Sequence, residues 1–249
     1  MLPAKSNGGR QQLLERGSKE EVHGMKLMFN CKHVYRFVYN MLQFCGHSWI
    51  LTNIIARFIT FGKDAMADTF HSVSLVMGLC QMFSILELFH IADRIEKARL
   101  LPRFIHVLEK NVLLVILVKL EDVQSKPVVS VLFFSWNLLD MLRYPYEVMC
   151  VMSKPSPLML WSRYTLWIPL YVVTVVIEGF TIYEVMLYLG PEVPCPPLQD
   201  SAEFMDTRDS VDLMLYLSLL VLGATVSLWQ LVKERRYQMD KWSNKLKKK

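Results

Sequence analysis

The sequence predicts an all-α, polytopic membrane protein, a bundle of six transmembrane helices with both termini cytosolic. Three observations carry that expectation. Hydrophobic residues fill 53% of the 249 positions and charged residues only 20%, less charge than soluble domains of this length usually carry. The apolar residues gather in blocks of about 20, the length that crosses a bilayer at ~1.5 Å of rise per residue. Basic residues collect in alternate connections, the bias that orients a polytopic chain. This pattern excludes an ordinary soluble enzyme, a secreted disulfide scaffold and a disordered chain. The five cysteines form no CxxC pair, so no metal site or disulfide framework is encoded.

The spans follow in order. The first is read over residues 37–59 and the second over 70–92. The third, 104–120, is the weakest, because Glu109 and Lys110 interrupt it and leave a clean apolar run only over 112–118. The fourth covers 128–149. The fifth, 158–187, is too long for one perpendicular crossing, so it tilts, protrudes or kinks near Pro169. The sixth covers 211–232. These spans define a membrane domain over 37–232, between a polar basic segment (1–36) and a basic tail (233–249).

Orientation follows from the connections. Seven Lys/Arg precede the first span and eight follow the sixth. Arg94, Lys97, Arg99 and Arg103 join spans two and three. The alternate connections are poorer in basic residues, and the last of them, 190–210, is Pro-rich and acidic. Six spans place both basic ends and the basic connection in the cytosol. The first 36 residues have no apolar core before a small-residue cleavage site, so no cleaved signal peptide is expected. The ending Lys245-Leu246-Lys247-Lys248-Lys249 fits the dilysine pattern that retrieves membrane proteins to the endoplasmic reticulum. A polybasic tail lying on anionic lipid is the alternative reading.

Ionisable groups inside spans cost ~2.5–3.5 kcal/mol each near a helix centre, so each is a functional candidate. Glu87 and His90 lie three apart in the second span and therefore share a face. His106 and Lys110 form an i,i+4 pair in the third. The fourth carries Asn137, Asp140, Arg143, Tyr144 and Glu147, whose spacings let Asp140 neutralise Arg143, and Arg143 neutralise Glu147, along one helix. The fifth carries Arg163, Tyr164, Tyr171, Glu178 and Glu184. Tyr164, Tyr171 and Glu178 recur every seven residues, which returns to within ~20° of the same face. Tyr171 and Glu178 then stand ~10.5 Å apart along the axis. That is too far for a direct bond, but a substrate threaded between them touches both. Such groups also serve as interhelical clips. With both ends cytosolic, however, Glu87, His90, His106, Lys110, Arg143 and Tyr164 share the cytosolic half of the bundle, as the lining of one polar pocket would.

The residues Trp136-x-x-x-Asp140-x-x-Arg143-Tyr144-Pro145-Tyr146, Arg163-Tyr164-Thr165-Leu166-Trp167 and Tyr171-x6-Glu178 resemble the 3-hydroxyacyl-CoA dehydratase family of fatty acid elongation, also called protein tyrosine phosphatase-like proteins. The segments Cys45-Gly46-His47-Ser48-Trp49, Phe61-Gly62-Lys63-Asp64 and Trp136-Asn137-Leu138-Leu139-Asp140-Met141 look most like the fourth vertebrate paralogue of that family. The resemblance runs from about Tyr35 to the end of the chain. It implies a six-span endoplasmic reticulum lyase that removes water from a (3R)-3-hydroxyacyl-CoA and leaves a trans-2-enoyl-CoA, with no cofactor. It also implies fatty acid elongases and the reductases of the cycle as partners, the bilayer as surroundings, and no nucleic acid. The family's catalytic Tyr and Glu fall on Tyr171 and Glu178. Its second-span Glu falls on Glu87, followed by His90, and its fourth-span Glu and Arg fall on Asp140 and Arg143. Tyr164 and Lys110 complete the expected substrate-binding set. The chain departs from the family's pattern at Val172, Val173 and Thr174 after the Tyr, at Asp140, and at His106 and Lys110 in place of Gln and Arg.

The residue types suit an elimination, which needs a base for the C2 proton and an acid for the departing C3 hydroxyl. A carboxylate stripped of water is a better base than one in solution, and a phenol can supply a proton. Glu178 as base and Tyr171 as acid is one assignment, and the reverse satisfies the same chemistry. Arg143 is a candidate to favour the ionised phenol or to stabilise charge on the thioester oxygen. The basic residues from Arg94 to Arg103 are placed to meet the CoA phosphates, although orientation alone also accounts for them. A phosphatase is excluded, since no Cys precedes an Arg at the phosphate-loop spacing; Cys31 and Arg36 are one residue too close. A transporter needs an internal repeat, and none is found. The serious alternative is a weakly active or inactive member acting as a binding subunit of the elongation machinery.

Overall fold

A computed structural model describes residues 8–93, 100–152, 156–189 and 207–246, with side chains over 31–93, 100–152, 156–188 and 213–242. Every element is helical: α1 (Gly8–Phe61), α2 (Asp64–Ala92), α3 (Leu100–Lys119), α4 (Glu121–Gln124), α5 (Pro127–Met152), α6 (Pro157–Trp161), a π-helical turn (Ser162–Leu166), α7 (Trp167–Leu189) and α8 (Thr207–Leu246). The six long helices close a ring in which α1 packs on α2, α2 on α3, α3 on α8, α8 on α7, α7 on α5 and α5 back on α1, with α2 also touching α5.

Local chemistry sets the breaks. Gly62 takes a left-handed φ of 61° and its N–H bonds the Phe58 carbonyl at 2.9 Å, which ends α1 and turns the chain into α2. At the end of α3, the buried Gln124 side chain donates to the Leu117 carbonyl at 2.9 Å, satisfying an orphan of the last turn. Pro169 has no N–H for the Thr165 carbonyl, and the chain answers with the wider π turn just before it. The expected irregularity of the fifth hydrophobic stretch is therefore this turn. Beyond it α7 runs unbroken through Val172, Val173 and Thr174.

Three stretches are long and apolar enough to cross a membrane: Asp64–Ala92, Pro157–Tyr188 and Leu213–Trp242. They belong to α2, α6–α7 and α8. The helices α1, α3 and α5 carry more polar residues, several of which point inward. Asn40, Gln43 and His47 of α1, Glu109 and Lys110 of α3, and Asn137, Asp140 and Arg143 of α5 are all buried. Large apolar side chains such as Ile59, Leu75, Met82, Val176 and Trp229 face outward and are more than 60% exposed. Polar inside and apolar outside is the arrangement a lipid solvent favours and water does not. An apolar core remains on one side of the ring, around Val73, Met77, Leu113, Leu117, Phe133 and Ile182.

α1 runs from Gly8 straight into the first hydrophobic stretch. The dilysine ending and most of the acidic 190–210 connection lie outside the described residues.

Candidate active site

Two buried ion-pair clusters cross the ring. In the first, Glu87 of α2 is 1% exposed and saturated with donors. Its Oε2 accepts from Arg143 Nη2 at 2.7 Å and Arg103 Nε at 2.6 Å. Its Oε1 accepts from the Tyr144 hydroxyl at 2.8 Å. The Tyr39 hydroxyl, 3.2 Å from Oε1, shares its proton between Glu87 and the Phe83 carbonyl. In the second cluster, Lys110 Nζ of α3 donates to Asp140 Oδ2 of α5 at 2.8 Å. His47 of α1 lies 3.8 Å from the same oxygen and bonds Asn137 Oδ1 at 2.7 Å through Nδ1. Two departures from the family's pattern, Lys110 and Asp140, thus meet each other.

These contacts add partners on facing helices to the local ones that the spacing along α5 offers. Asp140, Arg143 and Tyr144 all reach other helices. Helical spacing brings side chains to one face, but a partner on a facing helix offers shorter contact in a packed core. Arg103 likewise turns inward to Glu87 rather than presenting itself to CoA phosphates; Arg94, Lys97 and Arg99 lie outside the described residues. His90 shares the buried face with Glu87, as its spacing requires, but its Nε2 lies 2.8 Å from the Tyr35 hydroxyl.

The third polar group holds the expected pair. Tyr171 and Glu178 of α7 are both 2% exposed. Seven residues of regular helix separate them on one face. Glu178 Oε1 accepts from Trp136 Nε1 at 2.6 Å. The Tyr171 hydroxyl, fully buried, has no hydrogen-bond partner. Its ring stacks on Trp167 at 5.3 Å and tilts against His106 at 5.8 Å. The cation expected beside it, Arg143, is committed to Glu87, and the charged groups acting on Tyr171 are Glu109 and Glu178. Tyr164 leaves the predicted stripe because the π turn inserts extra backbone between it and Tyr171. It packs edge-on against Tyr146 at 5.8 Å instead.

Several buried residues of these clusters carry little signal in the sequence. Trp136 stands out there only as part of a motif. Asn40, Gln43 and His47 repeat at spacings of three and four on the first span, the same signal that exposed the polar faces of the others. Glu109 shows in the sequence only as an interruption of a weak span.

The chain matches the family described as protein tyrosine phosphatase-like protein, PTPLA, over residues 81–241. It is 43% identical to very-long-chain (3R)-3-hydroxyacyl-CoA dehydratase 4 of Mus musculus over 209 residues, 82% of this chain and 88% of the relative. The Homo sapiens protein of the same name matches at the same identity and coverage. Very-long-chain (3R)-3-hydroxyacyl-CoA dehydratase 3 of Mus musculus is 32% identical over 227 residues, 87% of this chain and 60% of that protein. No solved structure matches. With nearly two thirds of its length covered by the family pattern and relatives aligned along most of it, this chain belongs to the protein tyrosine phosphatase-like (PTPLA) family.

Proposed function

We propose that this chain dehydrates (3R)-3-hydroxyacyl-CoA to trans-2-enoyl-CoA, the third step of long- and very-long-chain fatty acid elongation, as a multi-pass protein of the endoplasmic reticulum membrane. The observation that carries the reading is the pair on α7. A buried phenol without a partner and a buried carboxylate stand two helical turns apart on one face, in a chain 43% identical to proteins named for this reaction. A buried hydroxyl left unbonded costs about 1–3 kcal/mol, and an incoming hydroxyl group on the substrate repays it.

In this mechanism Glu178 takes the C2 proton, the C2–H electron pair becomes the C2=C3 π bond, and the C3–O bond breaks. Tyr171 protonates the departing oxygen, so water leaves. The Trp136 indole N–H aims one oxygen of Glu178 and holds the carboxylate in place. Glu87 with Arg143, and Asp140 with Lys110, brace α2, α3 and α5 around the pair; Arg143 acts as a positioning residue through Glu87. Six crossings suit the inward polar faces of α1, α3 and α5, and an even number leaves both basic ends on the cytosolic side.

The test is dehydration of long-chain 3-hydroxyacyl-CoA by purified protein in detergent, beside Tyr171→Phe and Glu178→Gln. Each substitution is expected to lower kcat by about 10²–10⁴-fold without loss of folded protein. Absence of turnover by the parent across several chain lengths would move the assignment to a binding subunit of the elongation machinery.

A further inference from the structure

An elimination by Tyr171 and Glu178 leaves the site unbalanced. Glu178 ends with the proton taken from C2, and Tyr171 ends as a phenolate because its proton departed with water. Before the next substrate reacts, a proton must travel from Glu178 to Tyr171. No hydrogen bond joins the two side chains, so the proton needs a carrier.

One group outside the pair is placed to carry it. Glu109 of α3 is 6% exposed, and its Oε1 has no hydrogen-bond partner. Alongside α7, His106 of α3 lies against Tyr171. One turn further on, Lys110 lies 5.8 Å over the Trp136 ring that holds Glu178. Residue 109 therefore falls between the levels of the acid and the base. The neighbouring cation, Lys110, is held by Asp140 at 2.8 Å, which leaves the Glu109 carboxyl unpinned. Its position has been made for it from the opposite side. A Cβ at Gly223 of α8 would sit 2.4 Å from Glu109 Oε1 and 2.7 Å from Ile105 Cγ2, so a larger residue there would make that carboxyl shift. The Tyr216 hydroxyl of α8 donates to the Glu109 backbone carbonyl at 2.8 Å, fixing the backbone while the side chain stays free.

We propose that Glu109 is the proton carrier that resets the site: its carboxyl gives a proton to the Tyr171 phenolate and takes up the one held by Glu178. Each transfer breaks one O–H bond and forms another. After both, Tyr171 is a phenol, Glu178 a carboxylate and Glu109 unchanged. Glu109 touches no substrate atom in this scheme and acts through the catalytic pair. The inference rests on the dehydratase reading above.

Single-turnover and steady-state kinetics with a long-chain 3-hydroxyacyl-CoA separate reset from chemistry. In Glu109→Gln, which keeps the shape and loses the exchangeable acid, the first turnover is expected within about twofold of the parent. The steady-state kcat should fall about tenfold or more, with KM falling in step so that kcat/KM holds. Product then appears as a burst of one per site. Gly223→Ala displaces the carboxyl without removing it and should give the same burst with a smaller loss of kcat. It serves as the deciding variant if Glu109→Gln does not fold. Glu109→Asp should recover part of the kcat. An unchanged kcat in the folded variants, or equal loss of first-turnover and steady-state rates, would overturn the proposal. A parent enzyme with no first turnover would overturn the dehydratase reading itself, and this inference with it.

Discussion

Glu87 and Glu178 are the same residue type, almost equally buried in one ring of helices, yet their surroundings differ in kind. Glu87 accepts from Arg143, Arg103 and Tyr144, with Tyr39 beside them. No lone pair is left over for a substrate, and two guanidinium groups outweigh the one carboxylate. Glu178 has one neutral donor, Trp136 Nε1. Its neighbour along the helix, Tyr171, has an unbonded hydroxyl, and the facing Glu109 an unbonded oxygen. A saturated buried cluster holds helices together, and an unsaturated one retains capacity for a ligand or a proton. The difference separates scaffold from chemistry where residue identity does not.

The largest effect that tests this contrast is on folding. Glu87→Ala leaves two guanidinium groups facing each other in a dry interior and should destabilise the bundle by about 3–5 kcal/mol, read as loss of folded protein or a large drop in Tm in detergent. Glu178→Gln, equally buried, should keep its Tm close to the parent's while losing activity. Equal Tm values for the two variants would erase the distinction.

Next in size is the Lys110–Asp140 pair, which lies between the two regions. Lys110→Met alone strands Asp140, and Asp140→Leu alone strands Lys110. Each should cost about 3 kcal/mol, whereas the double variant should regain most of it, because a buried pair is often replaceable by apolar residues of like volume. His47 remains bonded to Asn137 and keeps α1 docked on α5 throughout. If the three unfolding free energies simply add, the pair contributes nothing as a pair.

Much of this division was legible beforehand, and its limits have a physical cause. Helical class, the polar faces and the Tyr171–Glu178 stripe follow from one-dimensional periodicity, which is fixed by 3.6 residues per turn. Partner choice is not periodic. That Arg143 reaches Glu87 across the ring, and Lys110 reaches Asp140, depends on which helices become neighbours. The ring order α1, α2, α3, α8, α7, α5 is not written in any single span. Tyr164 was misplaced for a local reason, since the seven-residue repeat assumes an unbroken helix and the π turn at Ser162–Leu166 breaks it. Glu109 shows in the sequence only as a flaw in a weak span because its significance lies in α8, where Gly223 leaves it room.

The smallest effect expected concerns the one bond Glu178 does have. Trp136 is fully buried against Phe133 with ring centroids 5.9 Å apart, and Lys110 Nζ lies 5.8 Å over its ring. Trp136→Phe keeps most of that apolar surface and removes the N–H. A hydrogen bond to a charged group contributes about 1.5–3 kcal/mol, but a carboxylate freed from it can turn toward other donors, so part is recovered. The expected result is a loss of kcat of about tenfold, near 1.4 kcal/mol, with KM little changed. Tm should move much less than in Glu87→Ala. This sharpens the contrast from the catalytic side: a donor that aims a base should register in rate, whereas the donors that saturate Glu87 should register in stability. If Trp136→Phe instead lowers Tm as far as Glu87→Ala does and leaves the rate of the surviving protein intact, then Glu178 too is held as scaffold, and the base must be sought elsewhere, with Glu109 the first to test.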